Sequence, residues 1–75
     1  MNHLKAVRQG LRLSLNATAR QAGVSRFRLW SAEQGDITLS VDEAARIRAA
    51  LRREADHIQS IARALDDADI ADSAA

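Results

Sequence analysis

Apolar residues recur every three or four positions along most of this chain, which is the spacing of one face of an α-helix. The pattern predicts helices over about 2–10, 15–22 and 26–34, followed by a fourth helix that opens at residue 41. Proline is absent, and the intervals are filled with alanine and long polar residues, which favour helix. We therefore predict an all-α fold.

Residues typical of helix ends separate these segments. Gly23 and Gly35 follow the second and third helices, where glycine takes the left-handed conformation without a Cβ clash. A serine precedes the second, third and fourth helices, at Ser14, Ser25 and Ser40, where its side-chain oxygen can accept a hydrogen bond from a free backbone N–H. The last of these serines has Glu three residues later, which is the composition of a capping box.

The apolar stripe of the fourth helix continues without a breaker to about residue 67, which predicts a helix about 40 Å long at about 1.5 Å per residue. Its members are Val41, Ala44, Ile47, Leu51, Ala55, Ile58, Ile61, Ala62 and Leu65. The first three helices are too small to cover this stripe, so its distal part must either bend back or meet a second copy. We favour a second copy, with a dimer seam at Leu51, Ile58, Ile61 and Leu65.

This division predicts a small domain at 1–52 and a helical extension at 53–75, whose tail we expect to fray from Asp66 onward. Of the 75 residues, 47% are apolar, but 16 residues are alanine, so the core is lean. No cysteine is present to form a disulfide or a thiolate metal site. Idealised helix packing or a partner chain must therefore supply the remaining stability.

Several classes of function lack the residues they need. The start of the chain has no signal-peptide pattern, and no stretch reaches the roughly 20 apolar residues of a membrane helix. The two histidines, His3 and His57, have no further ligand at metal spacing, and no phosphate-binding loop or nucleophile beside a base is present. We expect a cytoplasmic protein that is not an enzyme and needs no cofactor or metal.

Charge is distributed unevenly along the chain. The net charge is only +1, but residues 1–35 contain six Lys and Arg against one Glu, for a net +5. Residues 36–75 contain five Arg against nine acids, for a net −4. The first half therefore suits a polyanion such as nucleic acid, and the second half would be repelled by one.

The second and third helices are joined by only Gly23, Val24 and Ser25, which is typical of a helix-turn-helix. Five features of this region carry a resemblance: the leading Leu13-Ser14, Ala19 four residues before Gly23, the turn itself, Leu29 four residues after Ser25, and the closing Glu33-Gln34-Gly35. With residues 37–44 they resemble the Xre (Cro/cI-type) helix-turn-helix family over about 50 residues, as far as Leu51. The chain departs from the family pattern at Arg12, where glycine is usual, at Leu15, where glutamine is common, and at Thr18 and Ala32, where large aliphatic residues are usual.

The resemblance implies a lambda-repressor-like domain of four to five helices whose third helix lies in the major groove. Leu29 and Ala32 are expected to face the core, which leaves Arg26, Phe27, Trp30, Ser31 and Gln34 on the opposite face. Arg26 would bond a guanine, Phe27 would contact a thymine methyl, and Ser31 would either reach a base edge or leave space for one.

Phosphate contacts are predicted for a further set of side chains, which are Ser14, Arg20, Ser25, Arg28 and Gln34. Trp30 is interpreted as an aromatic residue of the core or of a partner surface, since most aromatic residues are buried. Glu33 is expected to bond an arginine or the backbone within the domain.

The leading hypothesis is a homodimeric repressor that binds a palindromic operator in double-stranded DNA, with its two reading helices about 34 Å apart. Its small size suggests control by protein level or by a partner such as a toxin, as in phage, mobile-element or toxin-antitoxin regulators. The alternative is a protein-interaction module, an antitoxin or antiactivator, that captures a partner through Phe27, Trp30 and the long helix. A structural helical bundle is a third possibility, but it leaves the charge distribution unexplained.

Overall fold

The computed structural model describes residues 3–68, which form four α-helices and no strand. The helices are α1 (His3–Gly10), α2 (Leu15–Ala22), α3 (Arg26–Gln34) and α4 (Val41–Asp67). The predicted all-α fold is confirmed, and the bounds predicted for the second and third helices agree with those of α2 and α3. Residue 2, which the prediction included in the first helix, and the tail from residue 69 lie outside the described residues.

The predicted caps are present at three helix starts and two helix ends. The hydroxyl oxygens of Ser14, Ser25 and Ser40 each accept a hydrogen bond from a backbone N–H three residues later, at 3.0 Å. Gly23 and Gly35 follow α2 and α3 with φ of 69° and 83°, which is the left-handed region. These local interactions fix where α2 and α3 begin and end, so the turn between them has a defined geometry.

Arg12 lies in the turn between α1 and α2 with φ of 58°, the one non-glycine residue with positive φ among those described. Its backbone N–H donates to the carbonyl oxygen of Gln9 at 3.0 Å, which closes α1. A left-handed conformation is unfavourable for a residue with a Cβ by about 1–2 kcal/mol. The turn that follows α1 therefore holds a strained residue at Arg12.

The core lies where α2, α3 and the first half of α4 meet. Its buried apolar members come from all three helices and from the turn between α2 and α3: Ala19, Ala22, Val24, Leu29, Ile47, Ala50 and Leu51. Thr18 is fully buried as well, and its hydroxyl donates to the carbonyl oxygen of Ser14 at 2.9 Å. The hydrogen bond satisfies a polar group inside a core that is otherwise built from small and medium-sized side chains.

Two members of the predicted apolar stripe of α4, Val41 and Leu51, differ in their burial. Val41 is 89% exposed, because it is the first residue of α4 and stands outside the core. Leu51 was assigned to a dimer seam, but it is buried in the domain's own core. Leu51 is therefore a core residue, in agreement with the predicted domain bounds of 1–52, and its contact with a second copy stays a prediction.

A buried ion pair joins α1 to α3. The Arg8 guanidinium donates to both carboxylate oxygens of Glu33, with Nε–Oε2 at 2.7 Å and Nη2–Oε1 at 3.0 Å. Its third nitrogen, Nη1, donates to the carbonyl oxygen of Leu13 at 2.8 Å. The expectation that Glu33 bonds an arginine is confirmed. The side chain of Arg8 thus fixes α1, the following turn and α3 relative to one another.

Helix α4 is continuous from Val41 to Asp67 and extends beyond the domain, so the distal part does not bend back. The described residues span 54 × 19 × 19 Å. The fraying predicted from Asp66 onward is wrong for Asp66 and Asp67, which continue the helix. We call residues 55–67 the arm. Within residues 3–68, no helix is both long and apolar enough to cross a membrane.

Candidate nucleic-acid interface

Helix α3 presents one exposed face, and its opposite face anchors it to the core. Leu29 is fully buried, and Ala32 is buried one turn further along the helix. Arg26, Trp30 and Gln34 are exposed on the other side, where they recur at intervals of four residues. The predicted inward orientation of Leu29 and Ala32 is confirmed, and this face of α3 points away from the core.

Arg26 and the two aromatic side chains of the chain form one cluster on this face. The rings of Phe27 and Trp30 lie 6.3 Å apart between centroids, with their planes tilted by 35°. Together with Arg26 they line a shallow hollow of about 280 Å³. Phe27 is 71% exposed and Trp30 is 44% exposed, so Trp30 is not a core residue. The cluster combines a cation with flat apolar surface, and both suit the edges of stacked bases.

The prediction that Ser31 reaches a base edge is wrong, because its side chain is only 3% exposed. Ser31 lies at the border of the exposed face, and the structure places it on the buried side of that border. Glu33, on the opposite border, is buried by its ion pair with Arg8. The exposed sector of α3 is therefore narrower than the helical periodicity alone indicated.

The side chains predicted to contact phosphate are all exposed. Two of them lie at the N-termini of α2 and α3, and Arg20, Arg28 and Gln34 lie along these helices. Ser14 and Ser25 use their oxygens to cap α2 and α3. A capping hydroxyl retains its own hydrogen, which it can donate to an anion. Within residues 3–68, neither Arg20 nor Arg26 forms an ion pair, so both guanidinium groups are available to a ligand.

Arg28, in contrast, is already engaged. Its Nη2 donates to Oε1 of Glu43 at 2.7 Å, and its Nε donates to Oε2 of the same carboxylate. Glu43 also accepts the backbone N–H of Ser40 at 3.0 Å, which completes the predicted capping box of α4. These hydrogen bonds, chiefly those from Arg28, lower the pKa of Glu43 to about 2, and the same pair raises the pKa of Arg28.

The pair with Glu43 therefore uses two of the five N–H donors of Arg28 and connects α3 to the start of α4. The sequence pattern identified the cap of α4 but gave no sign of this partner, which lies 15 residues away.

Two further arginines, which the sequence analysis did not single out, hold the turn of the helix-turn-helix against α4. Nη1 of Arg46 donates to the carbonyl oxygen of Gly23 at 2.9 Å, and Nη2 of Arg53 donates to that of Gln21 at 3.3 Å. Both carbonyls lie at the C-terminal end of α2, where the helix has no backbone N–H donors for them. Side chains of α4 therefore hold the end of α2 and the following turn against α4.

Comparison with known proteins adds no relative: no protein-family model, curated protein or solved structure matches the chain. Within residues 3–68, no group of three or more His, Cys, Asp or Glu side chains could hold a metal ion. The chemistry of the exposed α3 face therefore has to be interpreted from its own residues.

Proposed function

We propose that this chain is a sequence-specific DNA-binding regulator of transcription, which acts as a homodimeric repressor with α3 in the major groove of a palindromic operator. The observation that carries this proposal is the exposed face of α3, where Arg26 stands beside Phe27 and Trp30 and forms no ion pair with any residue from 3 to 68. The resemblance of residues 13–51 to the Xre family supports the same function.

Arg26 is the principal residue for base recognition in this proposal. It is the first residue of α3, and in helix-turn-helix proteins the N-terminal residues of the second helix contact base edges. Its guanidinium can donate two parallel hydrogen bonds to O6 and N7 of guanine, which discriminates against other bases by about 1–3 kcal/mol. In this proposal Phe27, one position later, contacts a thymine methyl group.

In this proposal, phosphate contacts on either side of α3 hold the domain in position on the duplex. Arg20 and Gln34 are exposed, and Ser14 and Ser25 stand at helix starts whose backbone N–H groups attract anions. Arg28 can contribute its remaining donors to a phosphate while its pair with Glu43 holds it in place. These contacts carry no sequence information, but they fix the register in which Arg26 meets the bases.

The proposal includes a second subunit because the α3 surface that would contact bases is small. One helix of nine residues reads few base pairs, and two copies on one face of the duplex supply useful specificity. Ile58, Ile61 and Leu65 on the arm are 42%, 54% and 59% exposed, so the arm offers apolar surface to such a subunit. Repression requires only that the dimer occupy a promoter. We further propose a cytoplasmic location.

One observation favours a second candidate function. Phe27 is 71% exposed, and with Trp30 it forms an apolar patch of the kind found in protein interfaces. In this alternative the domain captures a protein, such as a toxin or an activator, on the same face. The net charge of +5 in residues 1–35 favours DNA instead.

The test is selection from a pool of duplexes with a randomised region of about 30 base pairs, followed by sequencing of the bound fraction. We expect enrichment of two inverted half-sites whose centres are about 10 base pairs apart. Arg26→Ala should still bind but lose the preference for one base at a symmetric pair of positions. Arg63→Ala, which removes the same charge from the arm, should keep every preference. No enrichment with folded wild type would refute the proposal.

A further inference from the structure

The apolar stripe of α4 is covered along its first half and uncovered along its second. Ile47 and Leu51 are buried against the domain. The stripe continues beyond them at the same three- and four-residue spacing, so Ile58 and Leu65 lie on nearly the same side of the helix as Leu51. One helix face is therefore core at one end and exposed apolar surface on the arm.

An open groove lies alongside the covered part of the stripe and reaches the start of the arm. It has a volume of about 910 Å³ and lies between α1 and α4, next to the connection from α3 to α4. Leu4 and Val7 of α1 and Leu11 of the following turn form one wall, and Leu51 and Ala55 of α4 form the other. Arg48, Arg52 and Asp56 also line it. The groove is thus apolar inside, carries two cations and one carboxylate, and ends next to the exposed stripe of the arm.

We propose that a second copy of the chain fills this groove, with the two α4 helices antiparallel. The arm of each copy then lies along α4 of the other, and Leu65 of one copy enters the groove of the other near Ala55. The contact is reciprocal, as a twofold dimer requires, because each copy supplies one arm and one groove. The two helices cross near residue 59, at the middle of the exposed stripe.

Charge favours this direction over the parallel one. Arg52 and Asp66 are 14 residues apart, so they lie on the same flank of the stripe, four turns from one another. In an antiparallel pair centred near residue 59, Arg52 of each copy stands beside Asp66 of the other. A parallel pair would place Arg52 of one copy at the level of Arg52 of the other, four turns from Asp66, so this ion pair could not form, and it would leave both grooves empty. Flanking charges of this kind set helix orientation.

The arrangement rests on the homodimer of the proposed function but does not require DNA binding. It also predicts the distance between the two helix-turn-helix domains of the dimer, residues 3–52 of each copy, which we call the heads. Arg46 and Arg53 of α4 hold the turn and the end of α2, so each head is attached to α4 near residues 49 and 50. A twofold axis near residue 59 separates the two attachment points by about 28 Å along α4, at about 1.5 Å per residue. This distance is of the order of one turn of B-DNA, about 34 Å, which separates two half-sites.

The experiment uses disulfide cross-linking of the full chain, which has no native cysteine. Single variants are mildly oxidised in the absence of DNA, alongside sedimentation of wild type. Gln59→Cys, near the twofold axis, should form a covalent homodimer. Arg52→Cys alone should not, whereas an equimolar mixture of Arg52→Cys and Asp66→Cys should form a covalent heterodimer. Ala45→Cys, exposed on the part of α4 that belongs to the head, is the matched control and should form no covalent dimer.

Charge reversal gives a second readout. Arg52→Asp and Asp66→Arg should each weaken dimerisation by about tenfold, and the double variant should recover most of it. A wild type that sediments as a monomer at hundreds of micromolar would overturn the proposal, as would efficient cross-linking of Arg52→Cys to itself, because the antiparallel pair holds the two residues 52 about 21 Å apart. If a monomeric wild type still enriches one DNA sequence from the randomised pool, the proposed dimer is wrong but the proposed DNA recognition is not.

Discussion

Replacing Glu33 with glutamine tests whether the buried ion pair fixes the helix-turn-helix. The side chains of Arg8 and Glu33 are only 8% and 1% exposed, and two hydrogen bonds of 2.7 and 3.0 Å join them. Glu33→Gln keeps the shape of the side chain but removes its charge. The Arg8 guanidinium then remains buried without a counter-ion, since its other described bond is to a neutral carbonyl.

Breaking a buried pair from one side destabilises a protein by about 3–5 kcal/mol. A chain of 75 residues has a total stability of roughly 4–11 kcal/mol. Glutamine can still accept one hydrogen bond from Arg8, so we expect the lower end of the range, about 3 kcal/mol. With a slope of about 1 kcal/mol per molar urea, the midpoint of unfolding falls by about 3 M.

The assay is urea unfolding followed by circular dichroism at 222 nm, at one protein concentration. The control is Asp42→Asn, which breaks the exposed pair between Asp42 and Arg46 with its 3.0 Å separation and should lower stability by less than about 1 kcal/mol. The double variant Arg8→Met with Glu33→Leu removes both charges and should regain most of the loss. Equal midpoints for Glu33→Gln and Asp42→Asn would refute the reasoning.

Three further predictions concern the turns and the capping box. Arg12→Gly should raise stability by about 0.5–1 kcal/mol in urea unfolding, because glycine tolerates φ of 58°; a loss would contradict the strain. Gly23→Ala should lower stability by about 1–2 kcal/mol, since φ is 69° and the added Cβ would lie 3.2 Å from Nη1 of Arg46, whereas Gly10→Ala, with nothing within 4 Å, should not. The pKa of Glu43 is about 2 in the folded chain and 4.5 ordinarily, so its contribution is present above pH 4.5 and is lost as pH falls towards 2. Stability measured across that range should therefore fall less in Glu43→Gln than in wild type, and parallel curves would exclude this role.

Features encoded by neighbouring residues could be predicted from the sequence. The serine caps at Ser14, Ser25 and Ser40 act within three residues, and the glycine stops act within one turn. The bounds of α2 and α3 follow from these short-range interactions, as does the continuity of α4 from its unbroken stripe. The exposure of Arg26 and the burial of Leu29 follow from helical periodicity.

Features that depend on how helices meet could not be predicted. Arg28 and Glu43 come together only because α3 and the start of α4 are adjacent, and neither residue carries a local sign of the other. Ser31 lies at the border of a helix face, where a small difference in helix rotation decides between burial and exposure. The limit of the core along α4 depends on where α2 crosses it, which is why Leu51 is core and Ile58 is exposed.

The central claim is that the exposed face of α3 reads a DNA sequence. Its most direct measurement is an equilibrium titration of wild type with the selected duplex and with a duplex of the same composition in scrambled order, at 50 and 200 mM salt. We expect the selected duplex to bind at least about 10³-fold more tightly at the higher salt, and both affinities to fall as salt rises. Equal affinities for the two duplexes, or no binding to either, would contradict the account.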